Sequence, residues 1–283
     1  MRIFLIIAIL IFSLDAKSFF SNDEQKQSSV YIDSLKNLVI ATQKTRGLTN
    51  SYMNGNLAAM LLVFKNRGDM KKAIGMMEST NLATDPVINS RATTISQSLI
   101  KLNNKAFKMK PDEAFSNYTE QIEQVLMLAQ SVSKRASKNL NPLGVDASAI
   151  MMETMLPMTE YVGQLRGFGS GLAAKGVAGK SELEKVFVLV NEIETLNSDL
   201  QKQVAKLTSK HPNKVSSKID SELLDIDKAS KAYTNFAKDK FINDIKSINP
   251  NDYFDEGTKL ISKILKAYDT VNQALLDDSK GWI

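Results

Sequence analysis

The arginine-glycine steps Arg46-Gly47 and Arg166-Gly167 each lie inside a segment with the apolar spacing of an amphipathic helix. Leu35, Val39, Thr42, Arg46, Thr49 and Met53 fall on one helical stripe, and Met155, Thr159, Val162, Arg166, Gly169 and Ala173 fall on another. Both guanidiniums are therefore aimed at a helical core. A guanidinium does not shed its proton to enter a core, so it needs a carboxylate, backbone carbonyls or a bound anion to offset desolvation. Neither stripe has a carboxylate one turn away, and the small residues around Arg166 leave room for a ligand. The candidate ligand-binding set is Arg46 and Arg166 with Thr42, Thr49, Gly47 and Gly167 beside them. The structural alternative is that each arginine ties helices together through carbonyls or a remote acid such as Glu160.

Helix signals run the length of the chain. Ser21 to Glu24 and Ser181 to Glu184 read as capping boxes, and Asp85-Pro86, Lys110-Pro111 and Asn249-Pro250 place proline where a first helical turn tolerates it. Between these lie eight periodic segments, at about 23–55, 58–79, 86–107, 111–138, 146–175, 181–209, 215–238 and 252–277. No stretch has sustained period-two alternation bounded by hairpin turns, so the expected class is all-α. The two arginine-glycine steps are offset by 120 residues, 166 minus 46, and the Asn139 to Gly144 break precedes the second. The expected division is a first helical half over 17–143 and a second over 144–283, with terminal helices free to pack across both. Beyond the arginine-glycine step the halves read as sharing little.

Residues 1–16 have the pattern of an export signal: Arg2, an apolar run from Ile3 to Leu14, and Ala16 before the cleavage point. The expected location is the periplasm, with the mature chain soluble. The chain has no cysteine, so no disulfide would hold the exported fold, and packing alone has to do so. A composition of 43% hydrophobic and 24% charged residues is that of a globular protein. The net charge of +5 is dispersed and is unchanged by cleavage, since Arg2 and Asp15 leave together. With no basic arm and no aromatic-basic platform, a nucleic-acid partner is not expected.

Other motifs point to no chemistry of their own. Ala174 to Ser181 approaches a phosphate-binding loop but follows a helix where that loop needs a strand, so Gly176 and Gly179 read as helix terminators. Met151, Met155 and Met158 share a face that could offer Cu(I) thioethers, yet methionine is ordinary core filler and the face continues toward Arg166. His211 is the only histidine. Without a second histidine or a cysteine, the usual metal sites and histidine triads cannot be assembled. The pairs Asp225/Asp227 and Glu192/Glu194 read as solvated helix faces. Neither an enzyme nor a cofactor is expected.

Three stretches carry a resemblance to a known family: Gln43 to Leu48, Tyr161 to Phe168, and Asn249 to Ile261 with its aromatic, threonine and helix pattern. In this order the chain resembles the nitrate- and nitrite-sensing domain of bacterial signalling proteins over most of residues 25–278. The resemblance implies two up-and-down four-helix bundles with a small anion held between helices by arginines. It makes anion contact the favoured role for at least one of Arg46 and Arg166. The chain shows no kinase or methyl-accepting segment, so sensing implies a separate membrane-bound partner, and a homodimer is possible. The alternative function is an exported helical interaction protein that has lost its ligand.

Overall fold

The computed structural model describes the backbone from Phe4 to Lys280 and the side chains of residues 25–278. The reading of residues 1–16 as an export signal lies outside the residues whose side chains are described. Among the described residues there are helices and turns and no strand: α1 (Phe4–Met53), α2 (Ala59–Glu78), α3 (Pro86–Lys105), α4 (Pro111–Ala136), α5 (Pro142–Ile150), α6 (Leu156–Lys175), α7 (Lys180–Lys210), α8 (Lys218–Asn243) and α9 (Pro250–Lys280). No described helix is long and apolar enough to cross a membrane.

A π turn at Met151–Met155 joins α5 and α6, so they act as one column and the described chain has eight. Pro157 cannot donate a backbone hydrogen bond, and the wider turn just before it admits the ring without breaking the helix. The Met152 carbonyl accepts from Gln130 Nε2 at 3.2 Å.

Several helix ends follow directly from sequence. The Asp85 carboxylate accepts from the Val87 and Ile88 N–H groups at 3.0 and 3.2 Å, and Asn249 accepts from Asn251 and Asp252 at 2.9 and 3.3 Å. Two expected boxes do not operate. The backbone of α1 runs straight through Ser21 to Glu24. At α7 the cap is two residues earlier, with Glu182 accepting from the Gly179 N–H at 2.7 Å, because Gly176 ends α6 in the left-handed conformation (φ 70°) and the helix restarts at Lys180.

The helices close into two rings. Helix α1 packs on α2 and α4, and α3 bridges α2 and α4; α6 packs on α7 and α9, and α8 bridges α7 and α9. These are two up-and-down four-helix bundles, joined where α1 lies along α6. Contacts there advance together in both helices, from Gln43 with Glu160 through Asn50 with Gly167 to Ser51 with Ser170, so α1 and α6 run parallel. One hydrophobic core runs continuously from Tyr31 to Val271 through both bundles. The terminal helices also meet, with Lys36 Nζ 3.1 Å from Asp269 of α9.

The halves share more than the arginine-glycine step. Helix α4 begins Pro111, Phe115, Thr119, and α9 begins Pro250, Phe254, Thr258. Each is proline at the first turn followed by Phe and Thr at four-residue intervals. The offset is 139 residues (250 minus 111) rather than 120, which hides the match from a fixed-period comparison.

Candidate functional site

Gly47 and Gly167 touch where α1 meets α6. A Cβ on Gly167 would lie 2.7 Å from the Gly47 Cα, and one on Gly47 would lie 2.7 Å from the Phe254 ring and 3.0 Å from the Gly167 Cα. Only glycine at both positions lets the two backbones come this close. Asn50 Nδ2 donates to the Gly167 carbonyl at 3.0 Å and Ser170 Oγ to Ser51 Oγ at 3.0 Å, locking the register. The arginine before each glycine is thereby buried on either side of one seam, Arg46 at 0% and Arg166 at 1% exposure.

The two arginines sit in related surroundings. The Arg46 guanidinium lies 4.9 Å from the Phe115 ring centre and donates to Thr119 Oγ1 at 2.9 Å. The Arg166 guanidinium lies 4.4 Å from the Phe254 ring centre and donates to Thr258 Oγ1 at 2.8 Å. Each thus rests on the Phe, and bonds the Thr, of its own bundle's proline-initiated helix. Stacking on the aromatic face favours the cation and fixes its plane.

They differ in charge compensation. Arg46 has a partner acid: Nη1 donates to Glu160 Oε1 at 2.5 Å and Nη2 to Glu160 Oε2 at 3.3 Å. Gln43 Nε2 donates to the same Oε2 at 2.9 Å. Arg166 forms no ion pair among the described residues, and its Nε and Nη2 are buried without a hydrogen-bond partner. Burial pushes this guanidinium down from its ordinary value to about 10, and the Arg46 charge adds to the effect. At neutral pH it remains a desolvated cation with two free N–H groups on one edge.

A pocket of about 300 Å³ opens beyond Phe254 and Thr258, lined also by Lys44, Ser51, Lys65, Asn66 and Ser170. Half-buried Lys44 is pushed down by burial and by the Arg166 charge, against an opposing pull from Asp69. Lys44 and Lys65 add positive charge to this pocket, with Asp69 and Asp255 also on the lining.

Of the other sequence candidates, Thr42 is engaged elsewhere, donating to the Leu38 carbonyl at 2.7 Å and to Met70 Sδ at 3.2 Å. Thr49 is buried beside the Tyr118 phenol in the first bundle. Neither bonds a guanidinium. Glu160 answers the structural alternative for Arg46 alone. Phe254, Thr258 and Gln43 lie within the stretches that carry the family resemblance, whereas Phe115 and Thr119 lie outside them. Their signal was the spacing shared with Phe254 and Thr258.

The remaining motifs take structural places. Met151, Met155 and Met158 are buried in the core, His211 Nε2 sits 3.1 Å from Asp146, and Lys180 is solvated. No group of three or more His, Cys, Asp or Glu able to hold a metal occurs among the described residues.

A family model described as nitrate and nitrite sensing matches residues 37–280. No curated protein matches the chain. Among solved structures, the NasR transcription antiterminator superposes with a TM-score of 0.68 at 13% identity, over 97% of this chain and 75% of that one. At that identity the likeness is one of fold. The family match covers the seam, both arginines and the proline-initiated helices, and the chain belongs to the nitrate- and nitrite-sensing family, a ligand-sensing and not a catalytic domain.

Proposed function

We propose that the chain binds one small planar oxyanion, nitrate or nitrite, at Arg166, and that ligand occupancy is passed to a separate signalling partner. One observation carries this reading: a fully buried guanidinium with two unpartnered N–H groups and no acid of its own. Nε and Nη2 lie on the same edge of the guanidinium, so they present two parallel donors to two oxygens of one anion. Thr258 and Phe254 hold the plane of that edge, and Gly47 and Gly167 bring the helices close enough to exclude water. Desolvation strengthens the attraction once the anion enters.

Arg46 has a different role in this reading. Its carboxylate partner makes it a structural tie between α1 and α6, with Gly47 and Gly167 serving as spacers and Thr42 and Thr49 as packing residues. The finer assignments rest on sequence. Residues 1–16 act as an export signal and place the domain in the periplasm, where a membrane-bound partner would read the bound state.

Melting of the mature chain, starting near Lys17, against nitrate, nitrite, chloride, sulfate and formate tests the reading. Nitrate or nitrite should stabilise the fold in proportion to the logarithm of concentration, reaching about 2.7 kcal/mol at one hundred times the dissociation constant. Arg166→Gln should abolish the effect, and Arg166→Lys should weaken it nearly as much, since a point charge cannot supply two parallel donors. No anion-specific shift, or one that survives Arg166→Gln, would overturn the proposal. Export is tested apart from binding, by sequencing the N-terminus of the protein recovered from the periplasmic fraction.

A further inference from the structure

The repeat relates the two arginine sites residue by residue. The 120-residue offset carries Arg46 to Arg166, Gly47 to Gly167 and Lys65 to Lys185, and the 139-residue offset carries Phe115 to Phe254 and Thr119 to Thr258. The relation holds in space as well. Lys185 of the second bundle stands 5.0 Å from the Phe115 ring centre, and its ammonium feels the Arg46 charge, while Lys65 of the first bundle lines the pocket with Phe254 and Thr258. Each site is therefore built from an Arg, a Phe and a Thr of one bundle and a Lys of the other.

The acids break this symmetry. Glu160 pairs with Arg46, and Asp112 acts on Lys185 beside it. The same offsets carry Glu160 back to Ile40 and Asp112 forward to Asn251. On the Arg166 side both acids have been replaced by neutral residues. The Glu160 carboxylate is itself planar, singly charged and trigonal, and it accepts from both terminal nitrogens of Arg46 and from Gln43.

We infer that the Arg46 site is a second oxyanion site, related to the first by the internal repeat, whose ligand is the chain's own Glu160 carboxylate. Removing that carboxylate should open the site to a free planar oxyanion. The inference rests on the reading of the Arg166 site only for the class of ligand. Truncating Glu160 to alanine deletes the equivalent of one acetate, so acetate is the matched probe, with formate and nitrate smaller members of the same class.

The test uses the full mature chain in two backgrounds, one with Arg166 intact and one carrying Arg166→Gln. In both, Glu160→Ala should lower the melting temperature, and acetate or formate should raise it again along a saturable curve that chloride at equal ionic strength does not reproduce. With Arg166 intact, the nitrate stoichiometry by calorimetry should rise from one in the parent to two in Glu160→Ala. Adding Arg46→Met should remove the acetate effect. Absence of anion-specific recovery, recovery that survives Arg46→Met, or a Glu160→Ala chain that stays unfolded in acetate as it does in chloride would overturn the inference. The two readings fail separately. Acetate recovery of Glu160→Ala in a chain whose parent ignores nitrate would sink the Arg166 proposal alone, and nitrate binding by a parent whose Glu160→Ala variant ignores acetate would sink this inference alone.

Discussion

Glu160 holds Arg46 by both terminal nitrogens, at 2.5 and 3.3 Å, across the seam between α1 and α6. Two arginines that look alike in sequence are thereby given opposite energetics. Arg46→Ala strands a buried carboxylate, a change that costs about 3–5 kcal/mol where a buried pair is broken from one side. Arg166→Ala instead removes a buried charge that has no acid, and the unliganded protein should melt no lower than the parent. Melting curves of the two variants in anion-free buffer check the contrast; a large loss for Arg166→Ala would mean that this arginine is also a structural tie.

The close approach of α1 and α6 gives a second expectation. A methyl group on residue 167 would lie 2.7 Å from the Gly47 Cα, and this neighbour is backbone that cannot rotate away. Gly167→Ala should therefore destabilise by about 1–3 kcal/mol through overpacking, even though alanine in a helix interior is ordinarily favoured over glycine by about 1 kcal/mol. Chemical denaturation measures the balance. At Gly68, where a Cβ meets nothing within 4 Å, the same substitution should stabilise slightly.

Much of this fold was legible because helices announce their ends. Proline at residues 86, 111 and 250 and the side chains of Asp85 and Asn249 act locally, so the sequence around each is sufficient. The π turn at Met151–Met155 was not legible, since it answers Pro157 in a segment that is otherwise evenly helical. The candidate site divides the same way. Helical spacing alone pointed Arg46 and Arg166 inward. Which of them meets an acid depends on Glu160, which lies 114 residues from Arg46 and shares neither stripe. The pairing of each arginine with a Phe and a Thr depends on helices that close a bundle, and its signal was masked by two different offsets. Thr42 shows the limit of the stripe itself, because a threonine inside a helix can satisfy its hydroxyl on the carbonyl four residues earlier.

The glycine-rich turn before α7 is expected to be inert. The Lys180 side chain is 93% exposed and stands 4.0 Å from Glu184. Lys180→Ala should leave stability within about 0.5 kcal/mol of the parent and nitrate affinity unchanged. Nucleotide binding that this substitution abolished would require a different account of Gly179 to Ser181.

Lys44 offers a graded test of how charge reaches the pocket. It is half-buried beside the Arg166 charge, and both burial and that neighbour hold its ammonium below the usual lysine range. Lys44→Gln should remove an attraction for the incoming anion while leaving the two free N–H groups of Arg166 in place. At an effective dielectric near 20, a unit charge about 8–10 Å away contributes roughly 1.5–2 kcal/mol, so affinity should fall about 10–30-fold rather than vanish. Because the pocket is open to solvent, part of that loss should be screened, and the parent and variant should converge as ionic strength rises and the screening length falls below about 8 Å. Calorimetric nitrate titrations at low and high concentrations of an inert salt check this. A deficit for Lys44→Gln that is unchanged by salt would assign Lys44 a direct bond to the anion, and an affinity equal to that of the parent at low salt would exclude this lysine from the approach path.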